Sequence, residues 1–182
     1  MMAMLLVMTP AHAGYRLVAP PADNDPAAVS IYQLDNGLTV YLTENHETPR
    51  FYSEIVVRAG HKQDPASNTG LAHYLEHLLF KGNANMGTID YENEQSHIQN
   101  IYDLYEQRFN ETDPEKRDAI YKQINAENLA ASAYAVPNEM SNVYQSLGAS
   151  GLNAHTWFEE TVYKVGLPAN RLKQWAELES DR

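Results

Sequence analysis

Residues 70–82 predict a helix with two chemically different faces, and this helix constrains the fold more than any other part of the chain. At about 100° per residue, with His73 placed at zero, His77 falls at about +40° and Glu76 at about −60°. The two imidazoles and the carboxylate therefore share one face. Four leucines lie on the opposite side: Leu71, Leu75, Leu78 and Leu79. We expect the leucine face to pack against a core while the other face offers polar ligands.

The polar face has the side chains and the spacing of half a zinc site. Two His residues one turn apart can both reach a single Zn²⁺ at about 2.0–2.1 Å. A catalytic zinc takes three protein ligands and activates a water at its remaining position. Glu76 lies beside the two His residues and is placed to accept a proton as that water attacks a peptide carbonyl. Because the chain has no Cys, any metal must be held by His and carboxylates. The five-residue motif alone is equally compatible with an exposed helix face that carries two incidental His residues and a Glu.

Strands are predicted on both sides of this helix. Residues 31–34 and 38–42 form a hairpin pattern around Asp35-Asn36-Gly37, because Asn-Gly readily supplies the positive φ angles of a tight turn. Residues 51–59 predict a third strand, and residues 152–165 return to strand character. Before the helix itself, Asn68 or Thr69 is placed to act as its N-cap.

A helical hairpin is predicted between the polar-faced helix and the last strand, over residues 90–146. Apolar side chains recur there at helical spacing: Ile98, Ile101, Tyr102, Tyr105 and Phe109, then Ile120, Ile124 and Leu129. Thr112-Asp113-Pro114-Glu115 predicts a break and a new helix start. We expect the apolar stripe to be packed in a core.

These elements predict an α+β fold, a mainly antiparallel sheet with helices packed on one face and an inserted helical hairpin. Residues 31–182 are expected to form the domain, after an extended lead-in over residues 14–30.

The helix sequence resembles the active-site helix of the pitrilysin-type (M16) metallopeptidases, which carry an inverted His-x-x-Glu-His motif. The resemblance extends upstream to Leu34-Asp35-Asn36-Gly37-Leu38 and Ala59-Gly60. It resumes downstream at Asn153-Ala154-His155-Thr156 and at Glu160-Thr161-Val162-Tyr163. Motif order and strand-helix-strand context agree over most of residues 31–165.

The resemblance implies a zinc-dependent endopeptidase that hydrolyses peptides or unfolded proteins. His73 and His77 would be the metal ligands and Glu76 the general base. Asn153 and Ala154 would lie on an edge strand that takes the substrate as an added strand, although an ordinary strand explains these two residues almost as well. The resemblance also implies a second homologous domain or subunit that closes a chamber around the substrate.

The third zinc ligand of these enzymes is a Glu on a helix well downstream of the strand that matches residues 161–165. Residues 175–180, which include Glu177 and Glu179, resemble the segment that precedes that helix. We therefore expect the third ligand to lie beyond Arg182 and residues 31–182 to form an incomplete peptidase domain.

The N-terminus predicts export. An apolar run over residues 1–8 is followed by Ala11-His12-Ala13, which fits signal-peptide cleavage after Ala13 and a periplasmic or secreted location. A buried first strand is the alternative. The run is far shorter than the ~20 apolar residues of a membrane span.

The net charge of −11 and the lack of a Lys/Arg cluster argue against nucleic acid as a partner.

Two other functions remain open. A non-catalytic relative that binds peptides or serves as an assembly subunit is favoured by the missing downstream Glu and opposed by the intact trio His73, Glu76 and His77. A helical adaptor built on residues 90–146 has only the amphipathic stripe in its favour.

Overall fold

The computed structural model describes residues 14–182 and divides them into two compact units. One unit ends at Thr48 and the other runs from Pro49 to Arg182, so the boundary lies inside the segment that the sequence predicts as one domain. The predicted signal peptide, residues 1–13, lies outside the described residues. None of the helices within residues 14–182 combines the length and the apolarity that crossing a bilayer requires.

The first unit is a three-stranded antiparallel sheet. Its strands are β1 (Tyr15–Ala19), β2 (Ser30–Leu34) and β3 (Thr39–Leu42), in that order. The hairpin between β2 and β3 is confirmed: Gly37 has a φ of 91°, and the amide of Leu34 donates to the carbonyl of Leu38 at 2.9 Å. Strand β1 forms within the predicted extended lead-in.

The second unit holds a sheet of three antiparallel strands and five helices. The strands are β4 (Arg50–Val57), β5 (Ser150–Thr156) and β6 (Thr161–Pro168), in the order β4-β6-β5. The helices are α1 (Leu71–Leu78), α2 (Tyr91–Asn110), α3 (Pro114–Ser132), α4 (Glu139–Ser146) and α5 (Leu172–Asp181), with short 3₁₀ turns at His61–Gln63 and Ala169–Arg171. The predicted α+β class with antiparallel strands and an inserted helical hairpin is confirmed, with the strands in two sheets.

The core of this unit lies between β6 and the helices α4 and α5. Its buried centre consists of Met140, Tyr144, Val165 and Leu167. Partly buried side chains surround it, among them Phe51, Phe80, Met86, Leu152, Trp175 and Leu178. Strand β6 is the middle strand of its sheet, and it is buried along most of its length.

Helices α2 and α3 form the predicted hairpin. Asp113 caps α3 by accepting from the amide of Glu115 at 2.9 Å, and Pro114 occupies the first turn, where its missing N–H has no cost. The expected burial of the apolar stripe is correct for Ile124. It is wrong for Tyr102, Tyr105, Phe109 and Leu129, all of which are exposed.

Helix α1 buries a different face from the one that the sequence predicts. Its leucine face does not pack into a core of the described structure, because Leu71, Leu75 and Leu78 are exposed, Leu75 at 55%. The buried residue of the helix is Glu76, at 6% exposure, because β5 and β6 contact α1 from the side of that carboxylate. Helical periodicity identifies an apolar face but not the element that covers it.

Candidate active site

His73 and His77 lie side by side on the exposed surface of α1. Their Nε2 atoms are 3.1 Å apart, and their ring centroids are 4.8 Å apart. Two nitrogens at that separation can both bind one Zn²⁺ at about 2.0–2.1 Å with an N–Zn–N angle of roughly 100°, close to the tetrahedral value. The pair therefore fits half of a zinc site.

Glu76 is held against the sheet rather than exposed beside the His pair. Thr156 donates its hydroxyl to Oε2 of Glu76 at 2.6 Å. Thr156 is paired across strands with Thr161, whose hydroxyl donates to the carbonyl of Ala59 at 2.9 Å. The carboxylate is thus fixed by a hydroxyl on the last residue of β5, and that hydroxyl is positioned by the β5–β6 register. Sequence reasoning assigned no role to Thr156, although it ends the Asn153–Thr156 stretch that resembles the peptidases.

The start of α1 is fixed by Asp64. Its carboxylate accepts from the amides of Gly70 at 2.7 Å and Ala72 at 2.8 Å. These hydrogen bonds, that from Ala72 foremost, hold the pKa of Asp64 below its ordinary value, since they favour the charged form. The prediction that Asn68 or Thr69 caps the helix is therefore wrong. Asp64 lies beyond the usual capping distance along the chain and reaches the helix because the intervening loop folds back.

The loop before Asp64 is clamped to the β5–β6 connection. The amides of His61 and Lys62 donate to the carbonyls of Trp157 and Phe158 at 3.0 and 2.8 Å. A Cβ on Gly60 would lie 2.2 Å from the carbonyl oxygen of Trp157, so this close approach requires glycine. The clamp also brings the ring of His61 within 6.3 Å of that of His73, measured between centroids. Sequence reasoning gave His61 no role.

Asn153 and Ala154 lie on β5, at the edge of the β4-β6-β5 sheet. They pair with Lys164 and Tyr163 of β6, and within residues 14–182 no strand pairs with the other edge of β5. The same strand ends at Thr156, so its edge leads directly to the carboxylate of Glu76. His155, which lies on the same strand, is exposed.

The two acidic residues of α5, Glu177 and Glu179, form contacts away from the His73/His77 pair. Glu179 accepts from the hydroxyl of Tyr144 and forms a salt bridge with Arg182. Burial, and then the adjacent Glu179, raise the pKa of the Tyr144 hydroxyl far above its ordinary value. Glu177 lies 3.8 Å from the ammonium of Lys173 on an exposed surface. Among residues 14–182 no group of three or more His, Asp or Glu is arranged to hold a metal ion.

Residues 39–102 match the sequence model of Insulinase (Peptidase family M16). The matched segment contains β4, α1, the His73/His77 pair and Glu76. It therefore includes the centre of the candidate site but not β5, which supplies Thr156.

Three M16-type relatives are similar over part of the chain. Protease 3 of Escherichia coli K12 is 38% identical over 61 residues, which is 34% of this chain and 6% of the relative. The probable mitochondrial-processing peptidase subunit beta of Schizosaccharomyces pombe is 42% identical over 79 residues, 41% of this chain and 17% of the relative. The insulin-degrading enzyme of Drosophila melanogaster is 44% identical over 50 residues, 28% of this chain and 5% of the relative. Each aligned segment is thus a small part of a much longer protein.

The fold is similar to part of the crystal structure of pitrilysin. The match has a TM-score of 0.55 at 19% identity and covers 92% of this chain but 13% of the pitrilysin chain. At that identity the likeness concerns the fold alone, and it extends beyond the segment that matches the family by sequence.

Proposed function

We propose that this chain carries part of the active site of an exported zinc-dependent endopeptidase that hydrolyses peptide bonds in peptides or unfolded proteins. The observation that carries the proposal is the geometry of α1, where two His nitrogens converge at 3.1 Å and the carboxylate one residue before His77 is fixed by Thr156. The similarity of residues 39–102 to the M16 peptidases supports it.

In this proposal His73 and His77 hold the metal and Glu76 is the general base. Zn²⁺, when bound, supplies a Lewis acid that activates water at neutral pH. Glu76 accepts the proton of the attacking water and transfers it to the leaving amine. The hydroxyl of Thr156 keeps the carboxylate in one orientation at 2.6 Å, so that no reorientation is needed when the proton moves.

Substrate is proposed to bind along β5. The outer edge of β5 offers backbone groups to an extended peptide, which would add to the sheet as a further strand beside Asn153 and Ala154. Because β5 ends at Thr156, a peptide lying along this edge is directed toward Glu76. This placement supports cleavage of extended chains rather than of folded proteins.

The third zinc ligand is proposed to be a carboxylate outside residues 14–182. A catalytic zinc needs three protein ligands, and the described residues offer only two that converge. Glu179 accepts a hydrogen bond from Tyr144 and pairs with Arg182, which supports a third ligand outside residues 14–182. A second homologous domain or subunit that encloses the substrate, and a periplasmic or secreted location, belong to the same proposal.

Metal binding tests the half-site. We expect the purified chain to bind zinc weakly in competition with a chromophoric chelator, and His77→Ala to abolish that binding. The matched control is His155→Ala, which removes an exposed imidazole outside the pair. Tight one-to-one binding that His77→Ala abolishes would show that a carboxylate within the chain completes the site.

Peptide hydrolysis tests the catalytic assignment, in the natural polypeptide that contains this chain. Glu76→Gln is expected to abolish cleavage of a fluorogenic unfolded peptide while zinc content stays at the wild-type level, whereas His77→Ala loses both. A wild-type protein that is loaded with zinc and binds the peptide along β5 without cleaving it would favour the alternative, a non-catalytic peptide-binding or assembly subunit.

A further inference from the structure

His61 lies beside the candidate zinc pair without belonging to it. The centroid of its ring is 6.3 Å from that of His73, and the two ring planes meet at 86°. This edge-to-face arrangement falls within the range of about 4.5–7 Å at which aromatic rings attract each other. The ring of His61 is a neighbour of the pair rather than a third member of it, since residues 14–182 contain no group of three ligands.

The backbone of His61 is held on both sides of its Cα atom. Its amide donates to the carbonyl of Trp157 at 3.0 Å, and its carbonyl accepts from the amide of Asp64 at 3.2 Å. The first of these hydrogen bonds belongs to the close approach that Gly60 permits. The side chain of His61 therefore starts from a fixed point, although it is 38% exposed.

Asp64 connects the backbone of His61 to the start of α1. Its amide donates to His61, and its carboxylate accepts from the amide of Ala72, the residue before His73. The separation of the two imidazoles is thus set by hydrogen bonds to a single residue whose side chain is 5% exposed. Oδ2 of Asp64 also lies 3.5 Å from Nδ1 of His61, at the long limit of a hydrogen bond, so this contact adds little.

His73 lacks the support that an imidazole ligand usually has. Ligating His residues generally donate their second ring N–H to a carboxylate, a carbonyl or water, which fixes the orientation of the ring. In the part of the chain that the structure describes, the ring of His73 has one hydrogen-bonding contact, with Nε2 of His77. The side chain is exposed, so its rotamer depends on the rings that pack against it.

We propose that His61 is a positioning residue of the metal site, whose ring holds the imidazole of His73 in the rotamer that meets His77. His61 acts through His73 and not on the metal. The proposal rests on the proposed function, since it takes His73 and His77 as the zinc ligands. It also gives the β5–β6 connection a second role: Thr156 orients Glu76, and Trp157 places His61.

The rotamer of His73 tests the proposal without metal. In NMR spectra of the 182-residue chain, three-bond couplings between Hα and Hβ of His73 report whether χ1 occupies one well. We expect a single rotamer in the wild type and averaged couplings in His61→Ala. His61→Phe keeps an aromatic ring without its nitrogens and is expected to retain the wild-type couplings. Urea unfolding should give the same midpoint for all three proteins, because the hydrogen bonds of residue 61 use its backbone.

Zinc affinity tests the consequence for the site. In competition with a chromophoric chelator, His61→Ala is expected to weaken binding by about twofold to tenfold, the range that corresponds to one edge-to-face ring contact. His61→Phe should stay close to the wild-type affinity. The matched control is His155→Ala, which removes an exposed imidazole on β5 and should leave the affinity unchanged.

Two results would overturn the role of His61. One is a set of His73 couplings that does not change in His61→Ala. The other is an equal loss of zinc affinity in His61→Phe and His61→Ala, which would make a nitrogen of His61 the active group and His61 itself a ligand. Zinc binding that His77→Ala leaves unchanged would instead refute the half-site, while the couplings of His73 would still decide the role of His61.

Discussion

Replacing Thr156 by Val should destabilise the second unit, because it leaves a buried carboxylate without its hydrogen-bond donor. Glu76 is 6% exposed, and the hydroxyl of Thr156 lies 2.6 Å from its Oε2. A hydrogen bond to a charged group contributes about 1.5–3 kcal/mol, and leaving the group buried without a partner costs a similar amount. For a unit of this size that free energy corresponds to a decrease in Tm of roughly 5–10 °C.

The assay is urea unfolding followed by circular dichroism, with Thr156→Ser as the control that keeps the hydroxyl. Thr156→Ser is expected to unfold close to the wild-type midpoint, and Thr156→Val at lower urea with an unchanged slope. A double-mutant cycle isolates the contact: in a Glu76→Leu background, Thr156→Val should cost less than about 0.5 kcal/mol, because both partners are then apolar. Equal midpoints for Thr156→Val and Thr156→Ser would refute the idea that this hydroxyl holds the carboxylate.

Three further predictions follow from the described contacts. Asp64→Asn should lower the free energy of unfolding at neutral pH. Because the pKa of Asp64 is lowered in the folded state, the stability that its carboxylate contributes is complete above the ordinary pKa of about 3.9 and is lost as the pH falls through the folded pKa. In a pH series of urea titrations, the free energy of unfolding of the variant should therefore fall less steeply toward acid pH than that of the wild type. Gly60→Ala should destabilise by about 1–3 kcal/mol or more in the same assay, because its Cβ would lie 2.2 Å from the carbonyl of Trp157; a wild-type midpoint would show that the clamp is looser than described. Tyr144→Phe should cost about 1.5–3 kcal/mol, because the hydroxyl donates to the buried side chain of Glu179, which also pairs with Arg182. A calorimetric Tm equal to that of the wild type would contradict that contact.

Features specified by adjacent residues were predictable from the sequence. The β2–β3 turn follows from Asn36-Gly37, and the start of α3 follows from Asp113-Pro114. The helical spacing of His73 and His77 likewise predicted that their ring nitrogens meet, as they do at 3.1 Å. In each case the determining interaction lies within one turn of helix or one hairpin.

Features that depend on distant residues were not predictable. The cap of α1 is Asp64, which lies outside the helix and replaces the expected Asn68 or Thr69. The partner of Glu76 is Thr156, eighty positions along the chain. Neither pairing leaves a periodic or compositional signal, because each depends on how a loop or a strand is placed by the rest of the fold.

Two apolar helix faces are exposed in the described structure. A helical wheel predicted a leucine face on α1 and an aromatic row on α2, and both rows exist, but in residues 14–182 neither Leu75 nor Phe109 is covered. The two faces differ in the charge beside them. The leucine face of α1 belongs to a helix whose only acid, Glu76, is buried, whereas Glu94 and Glu106 lie beside the aromatic row on α2. Because Phe109 is 81% exposed, Phe109→Ser should leave the free energy of unfolding of the chain almost unchanged.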